Sequence, residues 1–191
     1  MAQAPNPIEV YESAVKALSP IMAEVTAAQL NSGTPCTEWS VQSLINHALV
    51  VQAMANAVVS KGKPDMAAMG KLDHALPSEG AEAAFKSITD TTLAALKKAN
   101  LEDTLKTPFG EMPGGNFIMI PITDMIIHGW DLAKATGQNA TLDNALAEIG
   151  LQALTPALSG GRDSAFFGAE VTVPAGASAQ DRLLGLSGRT P

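Results

Sequence analysis

One segment of the chain, PITDMIIHGWDLAKATG at residues 121–137, carries two acids and an imidazole among apolar residues in a helical pattern. Asp124 and His128 are four positions apart, so they lie about 40° apart around a helix. Asp131 follows Asp124 by seven positions and returns to within about 20° of it. The three side chains therefore share one helix face. A carboxylate and an imidazole at this spacing can hold a metal ion from one helix, but a third ligand must come from elsewhere.

His47 is the candidate for that third ligand. It lies inside the helical segment VQSLINHALVVQAMANAVVS, at about residues 41–60, with Leu44 and Val51 on the same face. This apolar face should point inward, where a bundle core can bring His47 opposite His128. Three nitrogen or oxygen ligands, with one or two positions left to water or substrate, are typical of a catalytic divalent-metal site rather than a closed structural one.

The residue types alone leave simpler interpretations open. A histidine on an apolar face is often a satisfied core residue, and an Asp/His pair on a helix surface is often solvated or salt-bridged, so a metal-free helical domain remains an alternative. Asp131 can cap, pair with a lysine or orient His128 as a hydrogen-bond acceptor. His74 falls in a polar loop, where we expect it to be exposed. Cys36 has no His or cationic neighbour in sequence, so we expect a packed neutral thiol.

Composition excludes several classes of protein. The 191 residues are 46% hydrophobic and 16% charged, which is typical of an ordered chain with a core. Twelve Lys plus Arg against nineteen Asp plus Glu give a net charge of −7, which opposes binding to nucleic-acid phosphates. The single cysteine excludes an intrachain disulfide. The N-terminus resembles no signal peptide and no apolar run is long enough to span a bilayer, so we expect a soluble cytoplasmic protein.

The rest of the chain must position these residues, and its pattern is mainly helical. Pro20 should kink or restart the first helix with Ser19 as its cap, Ser40 should cap the second, and Pro121 and Gly137 should begin and end the fourth. The segment 100–119 is irregular with short extended pieces, and AEVTVPAG in the tail is β-like before a short helix from Ser178. The predicted helices cover residues 8–30, 41–60, 79–99, 121–137 and 141–158.

These elements predict an all-α, antiparallel helix bundle with a short irregular or β-like C-terminal appendage. We expect residues 1–160 to form the bundle and residues 161–191 to pack on it as an extension, so that the whole is a single domain.

Two segments together resemble the mycothiol-dependent maleylpyruvate isomerase N-terminal family of the DinB-like superfamily. TPCTEWSVQSLINHALV at residues 34–50 is similar to its signature TPC-x-x-W-x-V-x-x-L-x-x-H, and DMIIHGWDLAKATG at 124–137 is similar to its second signature, an acid four residues before H-x-W-D-L-A-x-A-x-G. The closing segment, from FGAEVTVPAG onward, resembles the C-terminus of a compact branch. The resemblance covers nearly the whole chain and is weakest across residues 60–120.

The resemblance implies a four-helix bundle with up-down-down-up connectivity and a divalent metal held by His47, Asp124 and His128. Asp124 stands where the founding isomerases have glutamate, which is one methylene longer, and Asp131 is its rival as ligand or the acceptor that orients His128. Zinc is the first choice of metal, with nickel or another ion as alternatives. Residues for catalysis beyond these ligands are not assigned.

The function that follows is activation of a small thiol, with mycothiol as cosubstrate, for attack on a small electrophile by a transferase or isomerase. The larger C-terminal domain of full-length isomerases looks absent, so isomerase activity itself is not carried over. The alternative is a non-catalytic metal-binding or interaction protein of the same fold. We expect no nucleic-acid or membrane partner, and a homodimer is a further possibility.

Overall fold

Helices form most of the chain in the computed structural model, which describes residues 5–159, 161–162 and 166–191. This part of the chain contains six α-helices and one two-stranded hairpin, so the expected mainly helical class is confirmed. The helices are α1 (Pro7–Ala23), α2 (Val41–Val59), α3 (Ala81–Leu96), α4 (Gly114–Thr136), α5 (Asn144–Ser159) and α6 (Ala179–Leu186), and the strands are β1 (Thr104–Thr107) and β2 (Gly110–Pro113).

The helix α4 lies at the centre of the packing. It contacts α1, α2 and α5, while α2 and α1 also pack on α3, and α6 packs on α5. Because neighbours cover α4 on several sides, its polar residues Asp124, His128 and Asp131 lie in or near the interior together with its apolar ones. The largest fully buried side chains come from α1, α2, α3, α4 and α6 and include Tyr11, Leu44, Phe85, Phe117, Ile122 and Leu183. The up-down-down-up order of helix directions and the boundary between bundle and extension at residues 160 and 161 stay predictions.

Several predicted helix ends are confirmed by their caps. The Ser40 side chain accepts a hydrogen bond from the backbone N–H of Ser43 at the start of α2, and Ser178 does the same for Asp181 at the start of α6. Gly137 ends α4 in the left-handed conformation at φ 73°, which glycine adopts without steric cost. Ser40 at the start of α2 and Gly137 at the end of α4 therefore act as the sequence indicates.

Neither Pro20 nor Pro121 begins a helix, so the predicted helix starts at these two prolines are wrong. Pro20 neither breaks nor restarts the first helix, which runs through it and ends at Ala23, before a separate turn at Ala27–Gln29. The fourth helix begins at Gly114 rather than Pro121, which lies seven residues inside it. Proline removes one backbone N–H from the helix, and the buried residues on either side of Pro121, such as Ile118 and Ile122, hold the helix together by packing.

Of the two segments expected to contain extended structure, only residues 100–119 form strands. The tail segment AEVTVPAG forms no strand; its one backbone bond to α6 runs from Val171 N to Gly185 O at 2.9 Å. The strands form within residues 100–119, where short extended pieces were predicted, and Leu105 pairs with Met112 and Thr107 with Gly110. A strand needs a partner along its length, and the tail is covered by α6 rather than by another strand.

A glycine in α6 allows the tail to approach that helix closely. A Cβ at Gly185 would lie 2.5 Å from the carbonyl oxygen of Val171, so Gly185→Ala should lower the free energy of unfolding by about 1–3 kcal/mol. Urea unfolding measures this, with Gly176→Ala as the control because its Cβ would meet nothing within 4 Å. Helix propensity alone predicts the opposite sign, a gain of about 1 kcal/mol, so a more stable Gly185→Ala variant would contradict the close approach.

Among the described residues, no helix is both long enough and apolar enough to cross a membrane.

Candidate metal centre

His47 on α2 meets Asp124 and His128 on α4. The Nε2 atom of His47 lies 3.0 Å from Asp124 Oδ1, and His128 Nε2 lies 3.5 Å from the same oxygen. One potential ligand atom from each residue lies within 4.8 Å of the other two. The structure thus brings together the three residues that the sequence singled out, with the carboxylate between the two imidazoles.

The surroundings of Asp124 suit a cation. Its Oδ2 atom is buried, and no described residue forms a hydrogen bond with it, although an unpaired buried oxygen is costly. Zinc binds imidazole nitrogen and carboxylate oxygen at about 2.0–2.2 Å, so ligand atoms around one ion lie roughly 3–3.5 Å apart. The two distances to Asp124 Oδ1 are already in that range, and the residues present therefore fit a divalent metal.

The site is mostly enclosed. The side chains of His47, His128 and Asp124 are 11%, 13% and 18% exposed. Trp39, just before α2, packs its ring 4.5 Å from the ring of His47 and 5.6 Å from that of His128, measured between centroids. This indole restricts both imidazoles and shields one side of the site from water. Trp39 is part of the TPC-x-x-W motif, but the sequence alone did not predict a contact between this residue and the histidines.

Asp131 lies on the opposite side of His128 from Asp124. Its Oδ2 is 2.8 Å from His128 Nδ1, and its side chain is fully buried. Burial alone would raise the pKa of Asp131, but hydrogen bonds from His128 and Arg189 outweigh it and lower the pKa to about 2. The carboxylate is therefore ionised at neutral pH and can only accept, so Nδ1 of His128 carries the proton. In neutral imidazole this leaves the Nε2 lone pair toward Asp124.

The ionisation of Asp124 is also favoured. Burial opposes it, yet the neighbouring imidazoles of His47 and His128 lower the pKa of this carboxyl. The geometry separates the two acids: Asp124 faces the Nε2 atoms of both histidines, whereas Asp131 faces only the Nδ1 atom of one. That arrangement favours Asp124 as the carboxylate ligand and Asp131 as the acceptor that orients His128.

Arg189 was not singled out from the sequence. It follows α6, and its guanidinium reaches Asp131 with Nε at 3.3 Å from Oδ1 and Nη2 at 2.8 Å from Oδ2. The Arg189 side chain is 11% exposed. Burial disfavours its charged form, but Asp131 outweighs this and raises the pKa of Arg189. No local signal could have found this contact, because 58 positions separate the two residues.

Cys36 lies beside the same pair, 3.1 Å from Arg189 Nη2, 3.3 Å from Asp131 Oδ2 and 3.8 Å from His128 Nδ1. It therefore has the His and cationic neighbours that its sequence surroundings lack. Burial, followed by the charge of Asp131, nevertheless raises the pKa of the thiol to about 12. The thiol is neutral at physiological pH, in agreement with the expected packed thiol.

The third histidine takes no part in this centre. His74 is exposed, as its polar loop predicted, and its Nδ1 lies 3.0 Å from the carbonyl oxygen of the adjacent Ala75.

Similar proteins are known for most of this chain. Two uncharacterized proteins from two strains of Mycobacterium tuberculosis are 33% identical to it over 147 residues, which is 74% of this chain and 74% of each relative. Crystal structures of mycothiol-dependent maleylpyruvate isomerase and of a mutant superpose with a TM-score of 0.62 at 14% identity, covering 78% of this chain. This chain spans 66% of the isomerase chain, and at that identity the likeness shows the fold alone.

The family comparison covers the region that holds the candidate ligands. The family described as the mycothiol maleylpyruvate isomerase N-terminal domain matches residues 11–133, a range that contains His47, Asp124 and His128. The match covers more than half of the chain. The protein therefore belongs to the mycothiol maleylpyruvate isomerase N-terminal domain family.

Proposed function

We propose that this protein binds one divalent metal ion through His47, Asp124 and His128 and uses it to activate a small thiol for attack on an electrophile. The observation that carries the proposal is the convergence of the Nε2 atoms of His47 and His128 on Oδ1 of Asp124, whose other oxygen, Oδ2, is buried without a hydrogen-bond partner among the described residues. Zinc is the first choice for two imidazoles and one carboxylate, and nickel or another divalent ion is the alternative.

The ligand number supports a reactive rather than a closed site. Structural zinc is held by four protein ligands, whereas three ligands leave a position for water or substrate. A divalent ion held here would lower the pKa of a coordinating thiol, so that a thiolate is available at neutral pH. The residues of the chain contribute orientation: Asp131 holds the Nδ1–H of His128, and Trp39 packs against both imidazole rings.

The reacting sulfur would come from a separate molecule. Cys36 is the only cysteine in the sequence, and its pKa, raised to about 12, keeps it protonated at neutral pH, whereas the thiolate is the nucleophilic form. The sulfur of Cys36 is also already engaged in contacts with Arg189 and Asp131. The related isomerase is described as mycothiol-dependent, which supports mycothiol as the cosubstrate here. The substrate proposed is a small electrophile, and the reaction is a thiol transfer or isomerisation.

The enclosure of the site favours a second candidate function. Because none of the three candidate ligand side chains is more than 18% exposed, a thiol and an electrophile have limited access without movement of the surrounding segments. A metal bound for stability or for an interaction, without turnover, fits this enclosure.

Cobalt substitution distinguishes the two functions. Adding Co²⁺ to metal-free protein should give visible absorption from a bound ion, and adding mycothiol should produce a sulfur-to-cobalt charge-transfer band. Cys36→Ser is the control and should keep that band, since the sulfur comes from the added thiol. Cobalt binding without a thiol band, and without turnover of model electrophiles, would favour the non-catalytic function. Absence of cobalt binding would exclude both.

A further inference from the structure

Residues 187–191 follow α6 and are called the C-terminal segment below. This segment places the guanidinium of Arg189 in the interior, where its side chain is 11% exposed. All three nitrogens of Arg189 have acceptors: Nε and Nη2 contact the two oxygens of Asp131, and Nη1 donates to Ser187 O at 2.9 Å. Paired contacts of this kind fix the orientation of the carboxylate as well as its charge. The segment itself is held by a backbone bond from Arg189 N to Leu184 O at 2.8 Å.

The same Asp131 oxygen joins Arg189 to the metal centre. Its Oδ2 lies 2.8 Å from Arg189 Nη2 and 2.8 Å from His128 Nδ1. We propose that Arg189 is a positioning residue of the metal centre: it fixes Asp131, which in turn fixes the ring of His128 with Nε2 toward the metal position. The inference rests on the proposed metal-binding function and extends it to a segment outside the family match, which ends at residue 133.

Arg189 also explains a second cluster of metal-binding side chains. Cys36, His128 and Asp131 offer ligand atoms that lie within 4.8 Å of one another. The guanidinium Nη2 lies 3.1 Å from the sulfur and 2.8 Å from the carboxylate of this cluster. The cation that pairs with this cluster is therefore the Arg189 guanidinium of the chain itself. We expect a metal ion only at the neighbouring centre formed by His47, Asp124 and His128.

Coupling of this kind acts in both directions. If the docked Arg189 strengthens metal binding by some factor, metal binding strengthens docking of the C-terminal segment by the same factor. Outer partners of metal-bound histidine typically contribute 10–100-fold to metal affinity, and Arg189 acts through such a partner. We therefore expect an effect of about 10-fold, at the lower end of that range.

Zinc affinity of variants, measured by competition with a chromophoric chelator, provides the first test. Arg189→Gln should weaken zinc binding about 10-fold, and Arg189→Lys should restore part of it because the charge is kept while the paired contact is lost. Arg182→Gln is the matched control, since Arg182 lies in the adjacent helix and pairs with the exposed Glu148. In an Asp131→Asn background, Arg189→Gln should add less than about a 2-fold loss. Equal affinities for Arg189→Gln and Arg182→Gln, or losses that multiply fully, would overturn the proposal.

Hydrogen exchange of the unmodified protein provides the second test. This measurement uses no variant, so it does not depend on whether a variant folds. Zinc should slow amide exchange in the C-terminal segment by about 10-fold, while the hairpin at residues 104–113 serves as internal reference. Exchange in the segment that does not change with zinc, in protein shown to bind zinc, would contradict the role of Arg189 alone. A wild-type protein that binds no zinc would instead contradict the metal centre itself.

Discussion

Alanine at Asp124 should weaken divalent-metal binding by more than about 100-fold, beyond the 10–100-fold typical of residues that only orient a ligand. Among the described residues, its carboxylate is the one acid that faces both Nε2 atoms, at 3.0 Å from His47 and 3.5 Å from His128. Its loss leaves two neutral nitrogens and no negative charge at the metal position. Alanine at His47 or His128 should have a comparable effect, because two remaining ligands rarely hold an ion tightly.

Chelator competition with zinc, together with metal analysis of the purified variants, measures these losses. Asp131→Asn is the informative comparison and should lose about 10–100-fold, since it keeps the size of the side chain but no longer holds the charge. His74→Ala, which changes an exposed histidine outside the centre, should bind zinc as the unmodified protein does. Undiminished metal in both His47→Ala and His128→Ala would exclude this centre, and a larger loss for Asp131→Asn than for Asp124→Ala would make Asp131 the ligand.

Removal of the Asp131 carboxylate should also have a large effect on stability. Asp131 is fully buried and pairs with Arg189, whose side chain is 11% exposed. Asp131→Ala leaves that guanidinium buried without its partner, which typically costs 3–5 kcal/mol. Urea unfolding of metal-free protein at pH 7 measures the change, so that metal binding does not contribute. Asp103→Ala, which breaks the exposed pair with Lys61, should change stability by about 1 kcal/mol or less.

The stabilisation by Asp131 should depend on pH in a defined direction. Its pKa falls from 3.8 in the unfolded chain to about 2 in the folded one, so the contribution is complete above about pH 4. As pH falls from about 4 to about 2, the Asp131 carboxyl is protonated in the unfolded chain before it is protonated in the folded one, and its contribution to folding stability is lost. The stability difference from Asp131→Ala should therefore shrink by about 2 kcal/mol over this interval. A difference that is constant from pH 5 to pH 2 would contradict the lowered pKa.

The helix faces that carry the candidate ligands could be predicted from the sequence because the spacing of residues within one helix is local. Helical periodicity places Asp124, His128 and Asp131 on one face, and α4 preserves that spacing. The apolar neighbours of His47 indicate an inward face, and packing of α2 on α4 completes the group. The choice between Asp124 and Asp131 could not be made from spacing, because both residues share the face. The proposal that Asp124 is the ligand is supported by the side-chain geometry, in which Asp124 lies near Nε2 of His128 and Asp131 near Nδ1.

The features missed from the sequence depend on contacts between distant segments. Arg189 and Cys36 meet across 153 positions, and no periodicity reports such a contact. The start of α4 was missed for a different reason: local rules assign a proline to the first turn of a helix, whereas burial of Phe117, Ile118 and Ile122 allows Pro121 in its interior. In the β-like tail, too, tertiary packing outweighs local preference. Its residue types suit a strand, but the element beside it is α6 and not another strand.

Arg189 lies well beyond the family match, which ends at residue 133, and this limits how far the chain can be shortened. A fragment trimmed to the family match at residues 11–133 would keep His47, Asp124 and His128 but would leave Asp131 without its guanidinium. A fragment that contains every candidate ligand can therefore still lack part of the unit that arranges them.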